Sequence, residues 1–123
     1  MEFFEIEQVD PFMTMAPKVC ADKARLIPAA VHFDGTARVQ TVSRINNPRL
    51  YAVIEKFANL TGVPVILNTS FNRHEPIVER PEEAVSCYLR TQMDALVLGN
   101  FYSSRGERLL PVIRRLAELQ AAE

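Results

Sequence analysis

Between Asn47 and Gly62 the apolar residues Leu50, Tyr51, Ile54, Phe57 and Ala58 recur at helical spacing. Such spacing collects them on one face of an amphipathic helix. Asn47 suits the N-cap, Pro48 the first helical position, and Gly62 the C-terminal stop. A second helix is predicted over Pro81–Arg90, with Glu82 and Glu83 in its first turn and Ala84, Val85, Tyr88 and Leu89 on its buried side. A third, over Pro111–Ala121, carries Val112, Ile113, Leu116 and Leu119 on one face. Two short runs, Val63–Leu67 (VPVIL) and Ala95–Leu98 (ALVL), are wholly apolar and suit strands buried on both faces. Upstream, Ala29–Phe33 and Ala37–Val42 flank Asp34-Gly35, a strong hairpin signal. A two-residue turn there sets Phe33 opposite Thr36 and Val31 opposite Arg38. Alternation then places Arg38 and Gln40 on one face of the strand and Ala37, Val39 and Thr41 on the other. Phe12 to Met15 alternates as a further short strand, closed by Pro17. Ala21–Arg25, Asn68–Arg80 and Ser103–Arg108 read as loops.

Helices alternating with apolar strands predict an α/β fold, a twisted mixed sheet covered by helices. The hairpin makes the sheet mixed (α+β in character) rather than purely parallel. With 123 residues the chain suits one compact domain, residues 1–123. Its first segment, MEFFEIEQ, packs Phe3, Phe4 and Ile6 close together. These side chains are expected to meet the domain's own core or a second copy of the chain, so homo-oligomerisation is one alternative. The segment reads like the middle of an element, as though the chain began inside a larger domain.

Composition narrows the function classes. The residues are 48% hydrophobic and 24% charged, the balance of an ordinary globular protein, and the formal net charge is −1. A nucleic-acid module usually presents a basic face, so nucleic acid is disfavoured as a partner, although 14 Lys and Arg leave room for a local patch. Cys20 and Cys87 form no CxxC pair and fall short of a structural zinc set; free thiols in a reducing cytoplasm are the expectation. No apolar run reaches membrane-spanning length and no signal-peptide pattern opens the chain, which also predicts a cytoplasmic protein. The GxxxxGK[ST], GxGxxG and HExxH patterns are absent.

Chemistry gathers after the Val63–Leu67 run. Asn68, Thr69, Ser70 and Asn72 offer amides and hydroxyls where a buried strand ends, the usual place for ligands in open α/β sheets. The same residues also suit a loop whose side chains bond their own backbone. Arg38 lies within a predicted strand. A guanidinium there suits phosphate, whose oxygens it can bind in pairs, and equally suits a solvated sheet face beside an acidic neighbour. His32 and His74 read as face and loop histidines, and Lys18, Lys23 and Arg25 as a solvated rim.

Several longer words carry a resemblance. DGTARVQTV (Asp34–Val42), PVILNTSFN (Pro64–Asn72), EPIV (Glu75–Val78) and DALVLG (Asp94–Gly99), with PFMTM (Pro11–Met15) before them, resemble the C-terminal, YrdC-like region of nodulation-type carbamoyltransferases, a family that also modifies antibiotics. The likeness runs over roughly residues 9–101 in matching order. It implies an ATPase-like domain ahead of a partial YrdC-like one. The latter joins carbamoyl phosphate and ATP, with Mg, into carbamoyl-adenylate and releases pyrophosphate. The former, holding an iron ion, passes the carbamoyl group to a hydroxyl of a sugar-type acceptor. By that resemblance Arg38 contacts phosphate, while Asn68 and Ser70 contact nucleotide or carbamoyl phosphate, and the three converge at one end of the sheet. Such a chain needs the ATPase-like domain as partner, missing or on another chain, and is inactive alone. The alternatives are a non-catalytic binding module of the same fold and a double-stranded RNA binder. Arg73-His74 departs from the family's NTSFNxxGEPIV, being shorter and lacking its glycine. Basic residues that the family places upstream have no counterpart.

Overall fold

The computed structural model describes residues 2–105, and the helix expected at Pro111–Ala121 lies outside them. The chain divides into two compact units, Met1–Asn68 and Thr69–Glu123. Their elements give a mixed α/β composition: helices α1 (Pro48–Thr61) and α2 (Pro81–Arg90), strands β1 (Ala95–Leu98) and β2 (Phe101–Ser104), and 3₁₀ turns at Ala24–Leu26 and Pro28–Ala30. Among the described residues no helix is long and apolar enough to cross a membrane.

The first unit is built on its aromatic start. Phe3 and Phe4 are buried with Val19, Ile27, Ala37 and Val39, and Ile6, Val63 and Val65 pack against that cluster. The core is therefore the unit's own, and each buried phenyl group contributes about 1.5–3 kcal/mol relative to an exposed one. Single antiparallel bridges join Phe4 to Val19 and Lys18 to Thr36. The Ala37 N–H donates to the Pro17 carbonyl at 3.0 Å.

These pairings correct the expected hairpin. Asp34-Gly35 does turn, but the His32 N–H donates to the Thr36 carbonyl at 2.8 Å, and Phe33 projects fully into solvent. Asp34 sets that register, since its carboxylate accepts from the Thr36 N–H at 3.0 Å and the Thr36 hydroxyl at 2.7 Å. Gly35 completes the turn at φ 78°, a left-handed conformation that favours glycine. Pro28 starts a 3₁₀ turn over the beginning of the expected first strand, so the Thr36–Ala37 backbone pairs with Pro17–Lys18 instead. Val63–Leu67 is likewise not a ladder strand: Val63, Val65 and Ile66 are half-buried, Leu67 is exposed, and Pro64 has no N–H to donate. Nor is Phe12–Met15 a strand, for reasons that concern Asp10 below.

Helix α1 forms where its caps predict. The Asn47 side chain accepts from the Leu50 N–H at 3.2 Å, and Gly62 closes the helix in the left-handed conformation with its N–H on the Ala58 carbonyl. None of its residues is fully buried. Leu50, Tyr51, Ile54 and Ala58 are half-buried.

The second unit packs α2 on a hairpin. Ala84, Tyr88 and Leu96 form its core, with Phe71, Val78 and Leu98 around them. Glu83 reaches back to the Glu79 and Arg80 N–H groups at 3.0 and 3.2 Å, satisfying donors at the start of α2. At the other end Arg105 donates to the carbonyls of Tyr88, Met93 and Thr91. Strands β1 and β2 pair antiparallel, Leu98 opposite Phe101, across a Gly99-Asn100 turn. Strand β2 was not expected, because Ser103 and Ser104 read as the start of a loop. The sheet of the described residues is thus two-stranded and antiparallel, narrower than the helix-covered mixed sheet anticipated.

Candidate functional site

The Ala37–Val42 segment alternates as its sequence requires. Ala37 and Val39 turn into the core, while Arg38 is exposed and Gln40 half-buried. Arg38 and Gln40 both line a cleft of about 320 Å³, together with Asn68, His32, Leu50 and Ile54. That volume lies in the range of small-molecule sites. The cleft brings Arg38 and Asn68 together within the first unit, although 30 positions separate them in the sequence. Among the described residues no carboxylate pairs with Arg38. The lining thus joins an arginine to an amide, an imidazole and aliphatic side chains, a set of residue types suited to an anion attached to a flat or apolar group.

Behind the cleft stands a loop that sequence reasoning did not single out. Asp10 is buried, and its carboxylate accepts from the N–H groups of Phe12 (3.2 Å), Thr14 (2.7 Å) and Met15 (2.9 Å) and from the Thr14 hydroxyl (3.0 Å). Burial by itself would raise this carboxyl, but those bonds, led by Met15 and Thr14, outweigh it and hold the group below its ordinary value. The wrapped loop explains why the alternating Phe12–Met15 stretch is no strand, and Met13 takes φ 56° within it. Asp10 and Thr41 also exchange bonds: the Asp10 N–H donates to the Thr41 hydroxyl at 2.9 Å, and the Thr41 N–H to the Asp10 carbonyl at 2.8 Å. Next to this clasp, Gln40 Nε2 donates to the Pro11 carbonyl at 3.1 Å. Asn68 Nδ2 in turn donates to Gln40 Oε1 at 3.1 Å. The sequence signal for the loop was only an Asp before Pro with Thr14 four residues on, a common turn composition.

Ser70 belongs to the second unit. Its hydroxyl donates to Asn72 Oδ1 at 2.6 Å, Asn72 Nδ2 donates to the Glu75 carbonyl at 2.9 Å, and the Val78 N–H closes the loop on the Phe71 carbonyl at 3.0 Å. The shortened Arg73-His74 stretch fits within that closure. Glu75 accepts from the His74 N–H at 3.1 Å and from Arg90 at 3.0 Å. Its own N–H, then that of His74, then Cys87 and Arg90 bring its carboxyl down to about 2. Burial, followed by the bond to Glu75, pushes the Cys87 thiol up, so it is not an activated nucleophile. No group of three or more His, Cys, Asp or Glu among the described residues is placed to hold a metal ion.

The chain matches the family described as carbamoyltransferase C-terminus over residues 1–105. It is 47% identical over 104 residues to nodulation protein NolNO of Sinorhizobium fredii, covering 81% of this chain and 15% of that protein. It is 44% identical over 104 residues to nodulation protein NolO of Bradyrhizobium diazoefficiens, covering 81% and 19%. The sll1178 protein of Synechocystis is 39% identical over 122 residues, covering 81% and 20%. The chain thus spans about a fifth or less of the length of these relatives. The chain belongs to the carbamoyltransferase family, as its C-terminal region.

Proposed function

We propose that the chain supplies part of the carbamoyl-activating site of an O-carbamoyltransferase, binding ATP and carbamoyl phosphate so that carbamoyl-adenylate forms. The observation that supports this most is the joint lining of one cleft by Arg38 and Asn68. In this reading water hydrolyses carbamoyl phosphate to carbamate and inorganic phosphate, a carbamate oxygen attacks the α-phosphorus of ATP, and pyrophosphate leaves. No protein nucleophile is needed. Arg38 meets the phosphate charge as it shifts between oxygens, which is where a fixed cation contributes most. Asn68 takes a polar edge of the nucleotide or of carbamoyl phosphate. Mg enters with ATP, as a companion of the phosphates.

Transfer to a sugar-type hydroxyl, and the iron ion that assists it, belong in this reading to an ATPase-like domain on the same or another chain. The cytoplasm, where ATP and carbamoyl phosphate are made, is the proposed location. The test is calorimetric titration of the chain with ATP and carbamoyl phosphate, separately and together. Measurable binding of either that weakens in Arg38→Ala agrees with the proposal. Binding of neither, or binding that ignores Arg38, sinks it.

A further inference from the structure

Amide side chains present an oxygen on one edge and an NH₂ on the other, and their neighbours decide which edge faces a ligand. The Pro11 carbonyl is an acceptor and nothing else. Gln40 meets it through Nε2 at 3.1 Å, so Gln40 must turn Oε1 the other way. Asn68 meets that oxygen through Nδ2 at 3.1 Å. The polarity of one backbone carbonyl thus passes through two side chains. The Asp10 carboxylate wraps the loop that carries Pro11, and the Asp10–Thr41 exchange ties it beside Gln40.

We infer that Gln40 is a positioning residue, which turns the Asn68 amide so that its Oδ1 is the atom offered to a ligand in the Arg38 cleft. Asn68 then selects a group that donates, an NH₂, and leaves the phosphate to Arg38. Both substrates of the proposed reaction carry one: the 6-amino group of adenine and the amide of carbamoyl phosphate. The inference rests on the proposed function for the identity of the ligands. The relay itself stands on the hydrogen bonds alone.

Paired analogues separate the sources. ITP replaces the 6-amino group of ATP with a carbonyl, and acetyl phosphate replaces the NH₂ of carbamoyl phosphate with a methyl group. Affinities for all four are measured by NMR titration of the full chain, for the wild type, Gln40→Leu and Gln40→Glu. The wild type is expected to prefer one amino-bearing member of a pair by about fivefold to tenfold, the value of one hydrogen bond. The pair that shows the preference names the group that Asn68 reads. Gln40→Leu should bring that ratio close to one, because Asn68 is then free to rotate. Gln40→Glu keeps an oxygen for Asn68 Nδ2 and should keep the ratio, even as it loses the Pro11 bond. A merely structural Gln40 would lose the ratio in both variants. Equal affinities within both pairs in the wild type, or a ratio that survives Gln40→Leu, overturn the inference while leaving the proposed function standing. Binding of none of the four overturns both. If Gln40→Leu proves unfolded by its amide spectrum, Gln40→Met, longer and unbranched, takes its place with the same expectation.

Discussion

Arg38 and Asp10 show how two charged residues of one unit acquire different uses. The Asp10 carboxylate uses its acceptor capacity on its own loop, whereas Arg38 is exposed, lines the cleft and has no carboxylate partner among the described residues. Under the proposed function, Arg38→Ala should weaken phosphate or ATP binding by about 1.5–3 kcal/mol, as for a hydrogen bond to a charged group. Titration calorimetry with inorganic phosphate reads this directly, and an unchanged affinity removes Arg38 from the site. Asp10 makes a pH prediction. Its carboxyl lies below its ordinary 3.8 in the folded chain, so the unfolded chain binds the proton more readily. The clamp's contribution is therefore complete above that value and is lost as pH falls below it, through the folded value. Urea midpoints of the wild type should drop faster below pH 3.8 than those of Asp10→Asn, which does not titrate. Parallel curves would mean that the loop does not depend on the charge.

At the scale of elements, helix α1 relies on its ends because no side chain along it is fully buried. The Asn47 cap should therefore be felt: Asn47→Ala is expected to cost about 1 kcal/mol. Gly62→Ala, forcing a side chain into φ 76°, should cost a further 1–2 kcal/mol or so. Denaturant unfolding followed by circular dichroism measures both, and a variant with wild-type stability would show that α1 contributes little to the cooperative unit. Strand β2 offers a different lesson. Gly99-Asn100 between ALVL and FYSS is a hairpin turn signal, but the serines of FYSS suggested a loop. Ser103 is nevertheless buried opposite Leu96, since pairing along the ladder fixes which residues face inward.

For the molecule as a whole, the chain spans 15%, 19% and 20% of three relatives, so a complete carbamoyl transfer is more than this stretch is proposed to perform. The 123-residue chain is accordingly expected to show no carbamoyl-phosphate-dependent exchange of pyrophosphate into ATP. Robust exchange by the purified chain would refute the view of its activating site as partial. Adding an ATPase-like carbamoyltransferase domain and recovering transfer to a sugar hydroxyl would support it.

What the sequence determined by itself was local. Asn47, Pro48 and Gly62 fix α1 through bonds within a few residues, and the alternation from Ala37 to Gln40 decides which side chains face the core. The words DGTARVQTV and PVILNTSFN carry the family resemblance in the sequence alone. Tertiary structure decided the rest, because it rests on partners far along the chain. Val19 pairs with Phe4 and Lys18 with Thr36, where the turn chemistry of Asp34-Gly35 had suggested a neighbour closer in sequence. Gln40 reaches Pro11 across 29 positions and Asn68 across 28. A pattern of apolar and polar residues records which face is buried, but an amide is polar whichever way it points. Only the carbonyl that folding places beside it decides which of its atoms is left for a ligand.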